Sequence, residues 1–195
     1  IIAGSGARSQ ALIEAASNIA HALKGRGQAV ELALVAQEAN SLGLAMLAGN
    51  AAPLEAALER IEGSDRLALI TLENDLYRRA PRNRIDAAIK RLQHLLVVDH
   101  QDTRTAQQAH LVLPAASFAE ADGTLINMEG RAQRFFQVYA PAFYDADIQV
   151  REGWRWLAAL QGTLDRKAPR WSTFDEVSAA CAASAAGEVA SCASA

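Results

Sequence analysis

The strongest constraint in this sequence is an alternation between short, almost wholly apolar runs and longer stretches whose apolar residues return every third or fourth position. Val30 to Val35, Leu67 to Leu72, Leu95 to Asp99 and Leu111 to Leu113 are runs of the first kind. Between them Leu12, Ala16, Ile19, Ala20 and Leu23 fall on one helical stripe, which Gly25 and Gly27 end. Leu54, Ala57, Leu58 and Ile61 form a second stripe, with Pro53 priming its first turn and Gly63 closing it. Ile85, Ala88, Ile89 and Leu92 form a third, and a short polar helix is expected from Thr103. Strands that are apolar on both faces, alternating with amphipathic helices, are what a parallel sheet covered on both sides requires. The expected class is α/β, a three-layer, mostly parallel sheet with helices on both faces. Its strand C-termini, the usual ligand edge of such folds, carry Gly4-Ser5-Gly6, Gln37-Glu38, Glu73-Asn74-Asp75 and Asp99-His100.

The alternation changes character after Pro114. Phe118 to Tyr139 reads as a loop or irregular hairpin lying across the strand ends, with a turn at Asp122-Gly123, an extended Leu125-Ile126 and a basic, aromatic segment from Arg131 to Phe136. A helix is expected from Ile148, with Val150, Trp154 and Leu157 on one stripe and Trp156, Leu160 and Leu164 beside it. Ser172 or Thr173 caps a last helix, with Glu176 as the capping-box partner, and an Ala/Ser tail follows that is expected to be mobile. The expected division is therefore 1–147 for the sheet domain and 148–195 for a helical extension. Asn40-Ser41-Leu42-Gly43 has the composition of a turn or a helix start.

The 195 residues, 51% hydrophobic and 21% charged, suit one soluble globular domain with an appendage and exclude disordered, collagen-like and disulfide-scaffold classes. A net charge of −3 advertises neither nucleic acid nor an anionic membrane. No apolar run approaches the ~20 residues of a membrane helix. Cys181 and Cys192, both in the Ala/Ser tail, make no disulfide framework or metal spacing, which favours a reducing, cytosolic setting. Ile1-Ile2-Ala3-Gly4 reads as a strand running into a turn, so an internal piece of a longer chain is expected, and no signal peptide opens it.

Gly4-Ser5-Gly6-Ala7-Arg8-Ser9 is a partial dinucleotide-binding pattern with Ser9 where a third Gly or Ala belongs, and Glu38 could serve as the ribose-binding acid. Such glycine turns are common in α/β domains, and a tight connection is the favoured reading. Glu73 and Asp75 stand where an anion-binding fold would present small residues and free N–H groups. A carboxylate about 6 Å from a phosphate costs roughly 3 kcal/mol at an effective dielectric near 20. A helix N-terminus returns only ~0.3–1 kcal/mol. The two carboxylates could act as general acid and base, but capping a helix and bonding Arg78 or Arg79 is the favoured role. His21, His94, His100 and His110 have no metal-ligand spacing. Asp99, His100 and Ser117 lack the nucleophile elbow of a hydrolase. Arg78, Arg79, Arg82 and Arg84, with Tyr77 as their only aromatic neighbour, read as a solvated face or a subunit contact.

Three stretches are more specific: Val97-Val98-Asp99-His100-Gln101-Asp102-Thr103-Arg104-Thr105, Ala109-His110-Leu111-Val112-Leu113-Pro114, and Glu120-Ala121-Asp122-Gly123-Thr124 with Asn127-Met128-Glu129-Gly130-Arg131-Ala132-Gln133. Together with Asn40 to Gly43, Leu72 to Leu76, Arg134-Phe135-Phe136 and Trp154 to Leu157, they resemble the molybdopterin oxidoreductase superfamily. Within it they look most like the G-subunit branch of bacterial NADH-quinone oxidoreductase, respiratory complex I. The resemblance runs from Ile1 to about Leu164 and implies a Rossmann-like domain. In molybdenum enzymes the loop matching Glu73-Asn74-Asp75 typically reads small residue, Asn, Pro and touches the pterin; here Asn74 alone keeps the pattern. The resemblance thus implies a cofactor-free scaffold with no catalytic, cofactor-binding or metal residue of its own. Iron–sulfur clusters would be held by cysteines elsewhere in the parent subunit. The implied partners are the rest of the parent chain and the other peripheral-arm subunits, at the cytoplasmic face of the inner membrane, with no nucleic acid and no membrane insertion. Trp154 and Arg79 are candidate contact residues. Were the parent an active molybdenum enzyme, Asn74, Asp99, Thr124 and Asn127 would contact the pterin; were it a nucleotide-binding module, Gly4, Gly6 and Glu38 would serve.

Overall fold

A computed structural model describes all residues except Arg8, Asn50, Asp65 and 193–195, and the backbone alone for 185–192. Arg8 of the glycine loop and the end of the Ala/Ser tail therefore lie outside the described residues. In chain order the elements are β1 (Ile2–Gly4), α1 (Gln10–Gly25), β2 (Ala33–Val35), α2 (Ser41–Ala48), α3 (Leu54–Glu62), β3 (Ala68–Leu72), α4 (Arg82–Arg91), β4 (His94–Asp99), β5 (Leu111–Pro114), β6 (Gly123–Ile126), β7 (Ala132–Phe135), α5 (Pro141–Tyr144), α6 (Gly153–Asp165) and α7 (Phe174–Cys192). The fold is mixed α/β, and the β1–β2 and β3–β4–β5 pairings are parallel. The chain gathers into two compact units, one of residues 1–49, 124–135 and the chain from 181 on, the other of 50–123 and 136–180.

The first unit holds the two-stranded sheets β1–β2 and β6–β7. Ser9 caps α1 by accepting from the Leu12 amide at 3.3 Å, and the helix ends at Gly25 with Gly27 at φ +77°. Strand β2 is shorter than the run Val30 to Val35 predicts, because its partner offers only Ile2, Ala3 and Gly4 for pairing. Asn40-Ser41-Leu42-Gly43 opens a helix, α2, that the lack of apolar periodicity had hidden. The hairpin turn falls at Asn127 to Gly130, not at Asp122-Gly123, since Gly123 already begins β6 and Gly130, at φ +80°, supplies the left-handed position. Asn40 does not cap α2; its Oδ1 accepts from the Ile126 amide at 2.8 Å. Gly43 is buried there, and a Cβ on it would collide with the Asn40 amide and come within 3.2 Å of Ile126 Cβ.

The second unit is organised on β3–β4–β5, in that order, with Leu72 opposite Val98 and Val98 opposite Leu113. Its core joins Leu95 and Val97 of β4 to Leu58 and Ile61 of α3 and to Ile85 and Ala88 of α4. Burying each of the Leu, Ile and Val side chains among these contributes about 1.5–3 kcal/mol. The opposite face, which carries Leu72 and Val98, receives the start of α6, where Gly153 lies against Leu72. Helix α6 begins at Gly153 and not at Ile148, because Arg151 is held extended: its amide donates to the Pro114 carbonyl at 3.3 Å and its carbonyl accepts from the Ala116 amide at 2.8 Å. The Trp156 indole N–H donates to the Pro114 carbonyl at 2.8 Å, fixing the helix to the end of β5. The Thr173–Glu176 capping box forms as expected, and α7 runs on through its alanines, the best helix formers, to Cys192.

Gly43→Ala should lower the unfolding free energy by about 1–3 kcal/mol, the usual cost of overpacking. Chemical denaturation followed by circular dichroism measures it, and loss of the Asn40–Ile126 bond should make the hairpin amides the first to exchange.

Candidate functional site

The candidate site is the C-terminal edge of β3 and β4, where the parallel register sets Glu73 and Asp99 side by side. The Glu73 amide donates to the Val98 carbonyl at 2.8 Å, carrying the ladder one residue beyond β3. Its φ is +46°, the left-handed region, which costs a residue with a Cβ roughly 1 kcal/mol. The turn this makes aims the side chain at the start of α6: a Cβ on Gly153 would lie 2.9 Å from Glu73 Oε1 and from Leu72 Cδ1. Only a glycine lets helix and carboxylate approach this closely. Although Glu73 keeps exposed surface, desolvation pushes its carboxyl above the usual pKa, with His100 acting to lower it and Asp99 to raise it further.

Asp99 is buried, its Oδ1 accepting from the Gln101 amide at 3.0 Å and lying 3.6 Å from His100 Nδ1. Ser117 stands apart from this pair: its amide donates to Glu120 Oε2 at 2.8 Å, closing a local turn. Asp75 is a structural carboxylate. Its Oδ1 accepts from the Thr105 hydroxyl at 2.7 Å and the Tyr77 amide at 3.2 Å, capping the 3-10 turn Leu76–Arg78. The same Thr105 oxygen accepts from the Leu76 amide at 2.8 Å, so a fully buried threonine ties two segments that lie far apart in sequence. Asn74 Oδ1 accepts from Arg79 Nε at 3.0 Å. Beside these, the Tyr77 hydroxyl donates to Asp86 Oδ1 at 2.6 Å and the Arg104 guanidinium stacks 4.5 Å from the Tyr77 ring centre. That bond holds the Asp86 carboxyl below its usual range, and desolvation, with Asp86 beside it, pushes the Tyr77 phenol up. Arg84 pairs with Glu55 and, at 3.0 Å, with Glu62, joining α4 to α3.

Gly4, Gly6, Ser9, Glu38, Thr124 and Asn127 fall in the first unit. A Cβ on Gly6 would meet open space, so the backbone there does not require glycine. Ser9 is engaged as the α1 cap, and the Glu38 amide donates to Ser41 Oγ at 3.1 Å at the start of α2. Thr124 is exposed on β6, and Asn127 Oδ1 accepts from the Glu129 and Arg131 amides, at 3.1 and 2.9 Å, inside the hairpin turn. The structure thus brings Asn74 and Asp99 to one strand edge. Sequence reasoning missed Thr105 and Gly153, because each acts through a partner distant in sequence. No group of three or more His, Cys, Asp or Glu is placed to hold a metal among the described residues. Among the same residues no helix is long and apolar enough to cross a membrane.

Thr105→Val should cost about 1–3 kcal/mol, since it strands the buried Leu76 amide. Glu73 behaves oppositely. With its native pKa raised, the ionised carboxylate opposes folding at neutral pH, and that penalty fades as pH falls through the native value toward the ordinary 4.5. Glu73→Gln should therefore raise the melting temperature at neutral pH and lose its advantage below about pH 4; thermal melts across that range would show it.

Comparison with known proteins gives these residues a context. The family model described as molybdopterin oxidoreductase matches residues 1–162. Similar curated proteins include the NADH-quinone oxidoreductase G subunit of Shewanella oneidensis, 79% identical over 184 residues, which are 94% of this chain and 20% of that protein. The protein of the same name from Pseudomonas putida is 52% identical over 185 residues, 95% of this chain and 20% of the relative. That of Escherichia coli strain K12 is 49% identical over 177 residues, 91% and 19%. This chain spans about a fifth of the length of the curated relatives it matches. With the family match extending over residues 1–162 of 195, the chain belongs to the molybdopterin oxidoreductase family.

Proposed function

We propose that this chain is a segment of the G subunit of an NADH-quinone oxidoreductase, a molybdoenzyme-like scaffold that supports electron transfer from NADH to quinone without a redox centre of its own. The observation that carries the reading is Glu73. A pterin cofactor brings a pyrophosphate, and the β3–β4 edge is built against one. Glu73 accepts a left-handed backbone to hold its carboxylate against the start of α6, with Asp99 next to it. A phosphate about 6 Å from one such carboxylate would lose roughly 3 kcal/mol. The α6 N-terminus would return no more than ~1 kcal/mol. The residues present do not fit the group.

In this reading the work of the segment is mechanical. The β3–β4–β5 sheet, with α3 and α4 on one face and α6 at the other, belongs to a Rossmann-like, three-layer domain spanning 1–147, and the extension from 148 carries contact residues. Trp154 and Arg79 face the rest of the parent chain or its neighbours in the peripheral arm, on the cytoplasmic side of the membrane. Iron–sulfur clusters lie elsewhere in the parent subunit.

The test is elemental analysis for molybdenum and tungsten, with fluorescence detection of released pterin, on the full-length parent purified from its native host. Iron without molybdenum, tungsten or pterin is the expected result. Stoichiometric metal and pterin would overturn the reading and turn attention to Asn74, Asp99, Thr124 and Asn127.

A further inference from the structure

The second unit carries a cleft that the strand-edge site does not use. It lies between α6 and the segment Ala168–Ser172, encloses about 690 Å³, and is lined by Trp154, Trp171, Ala158, Ala159, Arg151 and Arg155. This volume lies in the range of ligand-binding clefts. Three guanidinium groups rest on indole rings around it: Arg155 at 4.3 Å from the Trp154 ring centre, Arg151 at 5.0 Å from that of Trp156 and Arg170 at 4.9 Å from that of Trp171. Arg155 is locked further, its Nε donating to Glu152 at 2.7 Å and its Nη1 to the Ser172 carbonyl at 3.2 Å. Glu152 is thereby neutralised. Between residues 151 and 172 the cations Arg151, Arg155, Arg166, Lys167 and Arg170 face only Glu152 and Asp165, in a chain whose net charge is −3.

Arg151 makes a single long side-chain bond, from Nη2 to Gln149 Oε1 at 3.4 Å, so its guanidinium can still turn an N–H pair to a planar anion, and the stacking sets its orientation before a ligand arrives. Trp154 and Trp171 are both half-buried and each carries a guanidinium on its ring, so neither offers the whole open face on which a nucleobase stacks. Charge and shape together select a carboxylate with an apolar side chain beside it, the chemistry of an acidic polypeptide segment. The relatives are about five times as long as this chain. A tethered segment binds at high effective concentration, so one modest cleft suffices to hold it.

We propose that the cleft between α6 and Ala168–Ser172 docks an acidic, apolar-flanked segment contributed by the remainder of the same parent polypeptide, whose carboxylate pairs with Arg151 while its apolar neighbour lies against Trp154 and Trp171. This rests on the reading of the chain as part of a larger polypeptide and adds the chemistry of the contact. The test uses the full-length parent in its native host, with a photo-crosslinking benzoylphenylalanine placed at Ala168 and, in a second strain, at Ser172, followed by mass spectrometry of the purified complex. The expected product is an intrachain crosslink to a peptide bearing Asp or Glu beside an apolar residue. Its yield should fall about tenfold in Arg151→Glu and recover in Arg151→Lys or when that acid is exchanged for Arg in the Arg151→Glu background. Crosslinks only to another subunit, only to nucleic acid, or to no polypeptide from either position would overturn the proposal. Co-purification of the other subunits, read from the same preparation, separates this failure from failure of the scaffold reading.

Discussion

Strand β4 has no free face. Leu95, Val97 and Val98 are wholly buried, with Leu95 and Val97 under α3 and α4 and Val98 on the side that α6 approaches. Because β4 hydrogen-bonds to β3 on one edge and β5 on the other, its register fixes theirs. A shift of one residue would turn Leu95 and Val97 out from under α3 and α4 and put Leu96 and Val98 there, so the register is held by the fit of these side chains to the helices and not by polarity alone. The juxtaposition of Glu73 with Asp99 is a product of that register. So is the height at which Pro114 presents its carbonyl to Trp156.

Around this strand the polar groups divide by task. Asp75 and Thr105 act as internal staples, each hydrogen bond replacing one that water would supply, so that the loop after β3 and the segment before the 3-10 turn Ala106–Gln108 form one rigid shelf. Glu73 gains no such return. It bears a strained backbone, a desolvated carboxyl and a repulsive neighbour in Asp99, all within one residue. Local cost of this kind concentrates where a site has, or once had, a task other than stability.

Strand β4 and the helices α3 and α4 packed on it were legible because burial on both faces removes polar residues from a strand, and burial on one face imprints the helical period. Pro53, Gly63 and the Thr173–Glu176 box marked their helix ends because each acts within one turn of the chain. Of helix α2 only the start was legible, as a turn or helix entry at Asn40 to Gly43: Ser41 to Ala48 is apolar or small throughout, so it has no polar face to set a period. The start of α6 was misplaced for another reason. Arg151 is drawn into extended pairing by Ala115, and no local pattern encodes a partner 36 residues away. Asp75 was legible as a cap, while Thr105, its partner, was not. Glu73 was legible as a charge in the wrong place for an anion, but the glycine that admits it was invisible until α6 was in position.

The hydrogen bond from the Ile126 amide to Asn40 spans 86 residues. The pairings of β3 with β4 and of β4 with β5 each close within about 30 residues, short loops whose entropy cost is small. The β1–β2 pairing closes over a loop of similar length, so a chain emerging from a ribosome can complete its parallel pairings while Asn40 still lacks its partner in the hairpin. The tie between Asn40 and Ile126 forms only after the whole β3–β4–β5 sheet has been synthesised, so one of the earliest segments of this polypeptide is among the last to be fixed.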